Sequence, residues 1–342
     1  MISHDLIPQE KAEAVGRSLR VAFGVEEFQG IRSLTKGQTS ALVYRVVVKG
    51  TPYLLRIIMR PDDPTVHFRC MKAAAEAGLA PRVWYTNVED KISITDFIEA
   101  VPFAAAEARA RMPRLLRNLH ALPPFPTRAP HLNTSCTFLL NREVATAGLI
   151  QRFQALNLVP ESECAAVLER YTQVLDVYAP DNVSSHNDLF KPDNILFDGE
   201  RVWLVDWEAA FLNDRYADLA VVANLIVTKE KEERAYLQDY FGAPADAYQR
   251  ARFYVMQQIV HMFYAMAFLF LASMGGPVEL KESLPGLGEF HQSFWDGECD
   301  LESRENKIIF GRLHWEALLG SLRGKRFDEA LQVVGAGRPA SL

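Results

Sequence analysis

The chain has 342 residues and a mass of 38.6 kDa, enough for one large domain or two smaller lobes. Hydrophobic residues make up 49% and charged residues 23%, a globular composition that excludes a disordered chain, a collagen and a coiled coil. With 37 basic and 43 acidic residues the net charge is −6, so we expect no nucleic-acid partner.

Cysteine spacing and hydropathy indicate the cellular compartment of the protein. The four cysteines lie too far apart for a zinc knuckle or a disulfide framework. The N-terminus lacks the basic-then-apolar order of a signal peptide. Residues 259–272 are almost wholly apolar, but they fall short of the roughly 20 residues of a membrane span and predict a buried helix. We therefore expect a cytoplasmic protein with reduced thiols and no membrane partner.

The first hundred residues predict a small lobe rich in strands. Residues 42–49 and 53–59 are β-branched and aromatic runs separated by a Gly-Thr-Pro turn, which indicates an antiparallel hairpin. A helix over 64–78 follows, and then strands over 83–85 and 91–98. The predicted order is β-β-α-β-β, in an N-terminal lobe spanning 1–98.

A C-terminal lobe spanning 99–342 is predicted to be mainly helical. The expected helices are 104–122, 138–155, 162–178, 215–228, 231–240, 247–273 and 304–322. Among these helices lie two short apolar runs, 195–197 and 202–205. They flank an Asp-Gly turn and predict a second hairpin. A polar hairpin embedded among helices is where we expect chemistry.

The most informative stretch is SSHNDLFKPDNILF at 184–197, followed by LVDWE at 204–208. It places Asp188 on a loop, Asn194 at the start of a strand and Asp206 at the end of the paired strand. Oxygen ligands on such a hairpin suit Mg²⁺, and a nearby carboxylate can accept a hydroxyl proton. These are the components of phosphoryl transfer. A capped loop with satisfied carboxylates is the alternative.

The joint pattern, with the Asp-Leu-Ala at 218–220, resembles the aminoglycoside phosphotransferase and choline kinase superfamily. The resemblance spans 34–264. It implies an α+β, two-lobed protein-kinase-like fold, with a small antiparallel sheet in the N-lobe and a mainly helical C-lobe. It also implies ATP and Mg²⁺ as cofactors. The implied roles are a catalytic base at Asp188, a loop brace at His186, Mg²⁺ ligands at Asn194 and Asp206, and a partner for the loop backbone at Asp218.

The catalytic loop departs from the family pattern by one residue. The family places its Asn five residues after the catalytic Asp, and here Asp193 stands at that position while Asn194 follows. We assign Asn194 because it opens the Ile-Leu-Phe strand as the family's Asn does. Asp193 as the metal ligand stays open.

The nucleotide side is predicted from three places in the N-lobe. Gly37, Thr39 and Ser40 form a turn whose amides can approach a phosphate, although a simple strand-entry turn fits as well. Arg56 lies in an apolar strand, where it either faces solvent or, as the resemblance implies, contacts the ATP phosphates. Asp96 and Ile98 resemble the connector whose backbone meets adenine.

The acidic partner that the family places on the next helix is not evident in this chain. The expected Glu falls near His67, and the helix has Glu76 only near its end. The ion pair to Arg56 is therefore in doubt from the sequence.

The acceptor side shows two incomplete signatures. Tyr264 and Trp207 are candidate aromatic walls for a cationic ammonium group, although an aromatic core helix explains Tyr264 equally well. Glu208 and Asp214, with the acidic segment 296–302, are candidates for binding a polycation, although such a segment is often a solvated loop.

The sequence thus predicts an ATP- and Mg²⁺-dependent phosphotransferase that acts on a hydroxyl of a small, cationic acceptor, choline- or ethanolamine-like or aminoglycoside-like. The alternative is a catalytically silent, kinase-like module that binds a nucleotide or metabolite. The longer loop and the missing helix Glu favour that alternative. The complete set of Asp188, Asn194 and Asp206 argues against it. No oligomeric state is predicted.

Overall fold

The computed structural model describes residues 6–34, 41–127, 136–140, 146–278 and 283–337, and it divides into two compact units. The first unit comprises 1–101 and 194–210, and the second comprises 102–193 and 211–342. The segment 194–210, predicted as part of the C-terminal lobe, thus groups with the first unit.

A five-stranded antiparallel sheet with the order β1-β2-β3-β5-β4 forms the centre of the first unit. Alternate residues of β2 and β3, such as Val46 and Leu55, are fully buried, as expected for a sheet with one covered face. The strands are β1 (Gly30–Ser33), β2 (Ala41–Val48), β3 (Thr51–Ile58), β4 (Val83–Asn87) and β5 (Ile92–Asp96). The predicted β2-β3 hairpin is confirmed.

Two helices accompany this sheet, α1 (Gln9–Phe23) and α2 (Thr65–Glu76). The predicted order β-β-α-β-β was incomplete because it omitted both α1 and β1. Helix α1 buries a narrow stripe that includes Val15 and Leu19 against the sheet, and its other faces are polar. Strand β1 is four residues long and half polar. Such short or weakly apolar segments acquire their structure from the sheet that they join.

A second hairpin, β7 (Ile195–Phe197) and β8 (Val202–Leu204), belongs to the first unit and confirms the predicted Asp-Gly turn. The Asp198 carboxylate accepts the backbone N–H groups of Glu200 and Arg201 at 2.9 and 2.7 Å. The Leu204 N–H donates to the Leu79 carbonyl at 2.8 Å. That bond attaches the hairpin to the N-terminal residues of the unit.

The second unit is mainly helical, with one small antiparallel pair of strands, β6 (Asn182–Ser185) and β9 (Phe211–Asp214). Its helices are α3 (Ala105–His120), α4 (Gln151–Ala155), α5 (Glu161–Val177), α6 (Arg215–Ile226), α7 (Glu230–Phe241), α8 (Ala247–Ser273), α9 (Leu287–Trp295), α10 (Arg304–Leu322) and α11 (Lys325–Gly335). Helices α9 and α11 were not predicted.

Helix α8 is the core helix of the second unit. By length and composition alone it is apolar enough to cross a membrane, but 78% of its most apolar stretch is buried within the protein. It packs against α6, α10 and α11. The predicted buried helix is therefore confirmed.

The single helix predicted over 138–155 is wrong. The structure has a 3₁₀ turn at Cys136–Leu140, a π-helical turn at Thr146–Ile150 and then the short helix α4. Residues 141–145 lie outside the described residues. Thr146 and Gly148 have low helix propensity, which weakens a regular α-helix at this point.

A buried ion pair ties α8 to the start of α6. The Arg252 guanidinium lies 2.9 Å from the Asp214 carboxylate, and the two side chains are 7% and 0% exposed. Asp214 also caps α6 by accepting the N–H of Tyr216 at 2.8 Å. Burial raises the pKa of Asp214, and the charge of Arg252 acts against that rise.

Replacing Arg252 with Met is expected to lower the free energy of unfolding by about 3–5 kcal/mol, because the Asp214 charge would stay buried without its partner. Denaturant unfolding measures the change. The double variant Arg252→Met/Asp214→Asn should recover part of the loss, since Asn can still cap the helix. Arg234→Met, which breaks the exposed pair with Glu230, should cost less than about 1 kcal/mol and serves as control. An equal loss in both single variants would contradict the prediction.

Candidate active site

The loop that follows β6 is held by one buried carboxylate. Asp218 on α6 accepts the backbone N–H of His186 at 2.8 Å and that of Asn187 at 2.9 Å. Asn187 has a left-handed backbone with φ of 69°, so the chain turns sharply here. The predicted pairing of Asp218 with the loop backbone is confirmed.

Asp218 is held as an anion by its surroundings. Burial alone would raise its pKa, but hydrogen bonding and charge from His120, and the contacts from His186, hold the pKa of Asp218 below its ordinary value. His120 lies 3.4 Å from Asp218 and also contacts the Tyr240 hydroxyl at 2.7 Å. Asp218 is therefore a fixed structural charge that orients the loop.

Asp188, the predicted catalytic base, lies one residue beyond this pair of anchored amides. It is 7% exposed, and its Oδ2 lies 3.0 Å from the Lys191 ammonium. The His186 side chain is fully buried. The loop thus presents a carboxylate in a set orientation, with a half-exposed cation beside it.

The two predicted metal ligands lie at the same end of the second hairpin, within the first unit. Asn194 is 5% exposed, and its carbonyl accepts the Val205 N–H at 3.0 Å, which joins the hairpin ends. Asp206 follows β8 with a left-handed backbone, φ 65° and ψ 62°. Asp193 is exposed. The sequence predicts both residues as metal ligands, and the structure places both at one end of a single hairpin.

The donor chemistry at this hairpin end suits Mg²⁺. One carboxylate and one amide oxygen match a cation that keeps several waters and takes its other ligands from phosphates. Within the described ranges, no group of three or more His, Cys, Asp or Glu side chains is placed to hold a metal by itself. A cage made by the protein alone is therefore not expected.

Arg56 lies in the middle of β3, opposite Val43 and Ser93. Its guanidinium lies 3.0 Å from the Asp206 carboxylate and 3.3 Å from that of Glu208. Its side chain is 15% exposed, so the alternative of a solvent-facing arginine does not fit.

The other nucleotide-side predictions have different outcomes. Gly37, Thr39 and Ser40 lie outside the described residues. The Asp96 N–H donates to the Arg82 carbonyl at 2.9 Å, and its carboxylate accepts the Trp84 indole N–H. The backbone N–H and the carboxylate of Asp96 are thus both hydrogen-bonded to residues of the first unit. Ile98 follows β5 in irregular backbone and is half-buried.

An apolar cavity of about 120 Å³ lies in the second unit, beside the loop that holds Asp188. Asn187 and Asp218 line it from the loop side, and aromatic rings form much of the rest. The Phe190 and Tyr264 ring centroids are 5.3 Å apart, and those of Tyr264 and Phe268 are 6.0 Å apart. The sequence predicts Tyr264 as an acceptor-site residue, and neither Phe190 nor Phe268 was predicted. The four-residue spacing of 264 and 268 on one helix face was the available signal.

The remaining acceptor candidates are engaged elsewhere. Trp207 is 1% exposed and donates its indole N–H to the Leu204 carbonyl at 3.1 Å, so it packs inside the first unit and does not form an open aromatic wall. The Glu208 carboxylate has arginine partners, Arg56 at 3.3 Å and Arg60 at 2.9 Å. Both side chains are thus engaged within the first unit, and their acceptor roles stay predictions.

A model of the phosphotransferase enzyme family matches residues 30–254, more than half of the chain. The chain belongs to this family. The predicted resemblance is thereby confirmed, and the protein is a member of a family of phosphotransferase enzymes. At the level of sequence, no curated protein matches this phosphotransferase.

Solved structures share the fold of this phosphotransferase over nearly their whole length. A choline/ethanolamine kinase family protein from Mesorhizobium loti has a TM-score of 0.63 at 19% identity, covering 96% of this chain and 100% of its own. A spectinomycin phosphotransferase in complex with ADP and spectinomycin has a TM-score of 0.53 at 14% identity, with coverages of 88% and 98%. A fructosamine-3-kinase homologue from Thermobifida fusca has 0.53 at 16%, with coverages of 94% and 99%. The predicted α+β, kinase-like fold class is confirmed.

Proposed function

We propose that this phosphotransferase transfers the γ-phosphate of ATP, with Mg²⁺, to the hydroxyl of a compact amino alcohol of the choline or ethanolamine type. The observation that carries the proposal is the aromatic cavity beside the loop that holds Asp188. The ADP in the spectinomycin phosphotransferase complex supports a nucleotide donor.

Four of the predicted site residues, Asp188, Asn194, Asp206 and Arg56, have a role in that reaction. Asp188 accepts the proton of the acceptor hydroxyl, and the anchored loop sets its orientation. Asn194 and Asp206 hold Mg²⁺, which when bound neutralises phosphate charge. Arg56 contributes a fixed positive charge toward the phosphates. Positioning and electrostatics of this kind supply most of the catalysis in phosphoryl transfer.

The cavity favours a compact acceptor with an ammonium group. Aromatic faces such as those of Phe190, Tyr264 and Phe268 attract alkylated ammonium groups by cation–π interaction. Among the described residues of the lining, the one carboxylate is Asp218, and it is already used by the loop amides. The small cavity, about 120 Å³, and its largely apolar lining favour a compact acceptor over an aminoglycoside.

The carboxylates considered for a polycation are used within the protein. Asp214 is fully buried with Arg252. In the segment 296–302, Asp300 accepts the N–H groups of Glu302 and Ser303, and Glu298 accepts the Ser293 hydroxyl. These contacts describe a capped loop, so the acidic lining that an aminoglycoside would require is not supported.

The test is acceptor-dependent ADP release from Mg·ATP across choline, ethanolamine, several aminoglycosides, homoserine and simple sugars. We expect turnover with an amino alcohol and its loss when EDTA removes Mg²⁺. Turnover with aminoglycosides alone would contradict the compact acceptor. Mg·ATP binding without turnover on any acceptor would favour the silent binding module.

A further inference from the structure

We propose that Glu208 is a positioning residue for Arg56, and that it supplies the acidic partner which helix α2 lacks. This inference rests on the proposed use of a nucleotide donor. It moves Glu208 from the acceptor side, where sequence reasoning placed it, to the nucleotide side.

The contacts of the arginines in and after β3 carry the inference. The Glu208 carboxylate lies 3.3 Å from the Arg56 guanidinium and 2.9 Å from that of Arg60. Arg60 is held in turn by Asp62 at 3.0 Å. Asp206, Arg56, Glu208, Arg60 and Asp62 therefore form a row of alternating charges within the first unit. The side chains of Arg56 and Glu208 are 15% and 25% exposed, so solvent screens their pairing only in part.

Helix α2 offers no carboxylate at the expected position. Its only acidic residue is Glu76, the last residue of the helix, and its buried face carries His67, Phe68 and Cys70. The role of orienting the β3 cation therefore falls to another element. The turn at Trp207–Ala209 brings Glu208 to Arg56, with Trp207 buried as its anchor.

The two carboxylates that pair with Arg56, Asp206 and Glu208, are expected to behave differently when a nucleotide binds. In the proposed function Asp206 would bind Mg²⁺, and its attraction for Arg56 would then be weaker. Glu208 is then the fixed anion that keeps the guanidinium in place, and Arg60 keeps Glu208 in place. A pre-oriented arginine loses less conformational freedom when it contacts phosphate, and the nucleotide binds more tightly as a result.

Calorimetric titration of the full-length protein with Mg·ADP tests the inference without requiring turnover. Glu208→Gln is expected to weaken binding about tenfold, the scale of one charge-assisted hydrogen bond. Glu89→Gln, an exposed acid-to-amide change in the same unit, should bind like the wild type. Thermal unfolding of each variant shows whether the fold is retained. In turnover assays the KM for Mg·ATP should rise, and the KM for the acceptor should stay within about twofold.

A double-variant cycle separates positioning from direct binding. If Glu208 acts through Arg56, adding Glu208→Gln to Arg56→Gln should cause no further loss of Mg·ADP affinity. A full additional loss in that background would overturn the inference and point to a direct contact of Glu208 with the metal or nucleotide. A rise in acceptor KM with unchanged Mg·ADP affinity would overturn it in favour of an acceptor role. Wild-type protein that fails to bind Mg·ADP would instead refute the proposed function itself.

Discussion

Asp188→Asn is expected to lower kcat by about 10³-fold, because the amide cannot accept the hydroxyl proton in the transfer step. The fold should be retained. Asp188 makes its ion pair with Lys191, whose side chain is 48% exposed, so the loss of that pair should cost less than about 1 kcal/mol of stability. Steady-state ADP release with the acceptor found in the panel measures the change, and thermal unfolding measures the stability.

A matched control for this experiment is Asp176→Asn, the same chemical change at an exposed position on α5. It should leave kcat unchanged. Mg·ADP affinity should also stay near the wild-type value in Asp188→Asn, since Asp188 is assigned to the acceptor hydroxyl. Retention of full turnover by Asp188→Asn would refute its assignment as the base.

Acidification below pH 6.5 is expected to destabilise the second unit strongly, because three buried histidines are held neutral there. His314 Nδ1 lies 2.8 Å from His261 Nδ1, and His314 Nε2 lies 3.2 Å from His291 Nε2. Burial, with the positive charge of His291, lowers the pKa of His261 to about 3. Burial lowers the pKa of His291 to about 4 despite a backbone hydrogen bond at Asn224. Burial and both neighbours also lower the pKa of His314.

The direction of the pH effect follows from these shifts. In the unfolded chain each histidine takes up a proton near its ordinary pKa of about 6.5. In the folded protein His261 and His291 stay neutral until about pH 3 and about pH 4, and the pKa of His314 lies well below its ordinary value. The stability contribution is therefore complete above pH 6.5 and is lost as the pH falls toward 4. The loss is about 1.4 kcal/mol per pH unit for each histidine. Between pH 6.5 and 5.5 the three together should cost about 3 kcal/mol, because the unfolded histidines are only half protonated at pH 6.5.

Denaturant unfolding across pH 5 to 8 measures this dependence. His291→Gln retains a hydrogen-bonding group beside His314 but removes one titrating group, so it should reduce the slope below pH 6.5 by about one proton. Stability that does not change between pH 5 and 7 would contradict the prediction.

Local patterns determined much of this protein from the sequence alone. The β2-β3 hairpin and the Asp198-Gly199 hairpin follow from turn residues between β-branched runs, and both are present. The family followed from the spacing of Asp188, Asn194 and Asp206. These features depend on neighbours within about 20 residues, so a linear reading contains the information needed.

Side-chain partners distant in sequence were decided only by the tertiary structure. The pairing of Arg56 with Glu208 joins positions 152 residues apart, and no local pattern specifies it. The same holds for the buried ion pair of Asp214 with Arg252. Trp207 and Tyr264 are both aromatic residues in apolar surroundings. Trp207 is buried in the first unit, whereas Tyr264 lines a cavity.

The division between the two kinds of information has a physical cause. Turn geometry, strand alternation and helix periodicity are set by backbone sterics over a few residues, and they can be read from composition and spacing. The partner of a charge and the exposure of a ring depend on which elements pack together, which is a property of the whole unit. The sequence by itself therefore determined the family and the two hairpins, and it predicted the loop of Asp188 and the hairpin of Asn194 and Asp206 as the candidate site. Only the tertiary structure decided that Glu208 pairs with Arg56 and that an aromatic cavity lies beside the loop of Asp188.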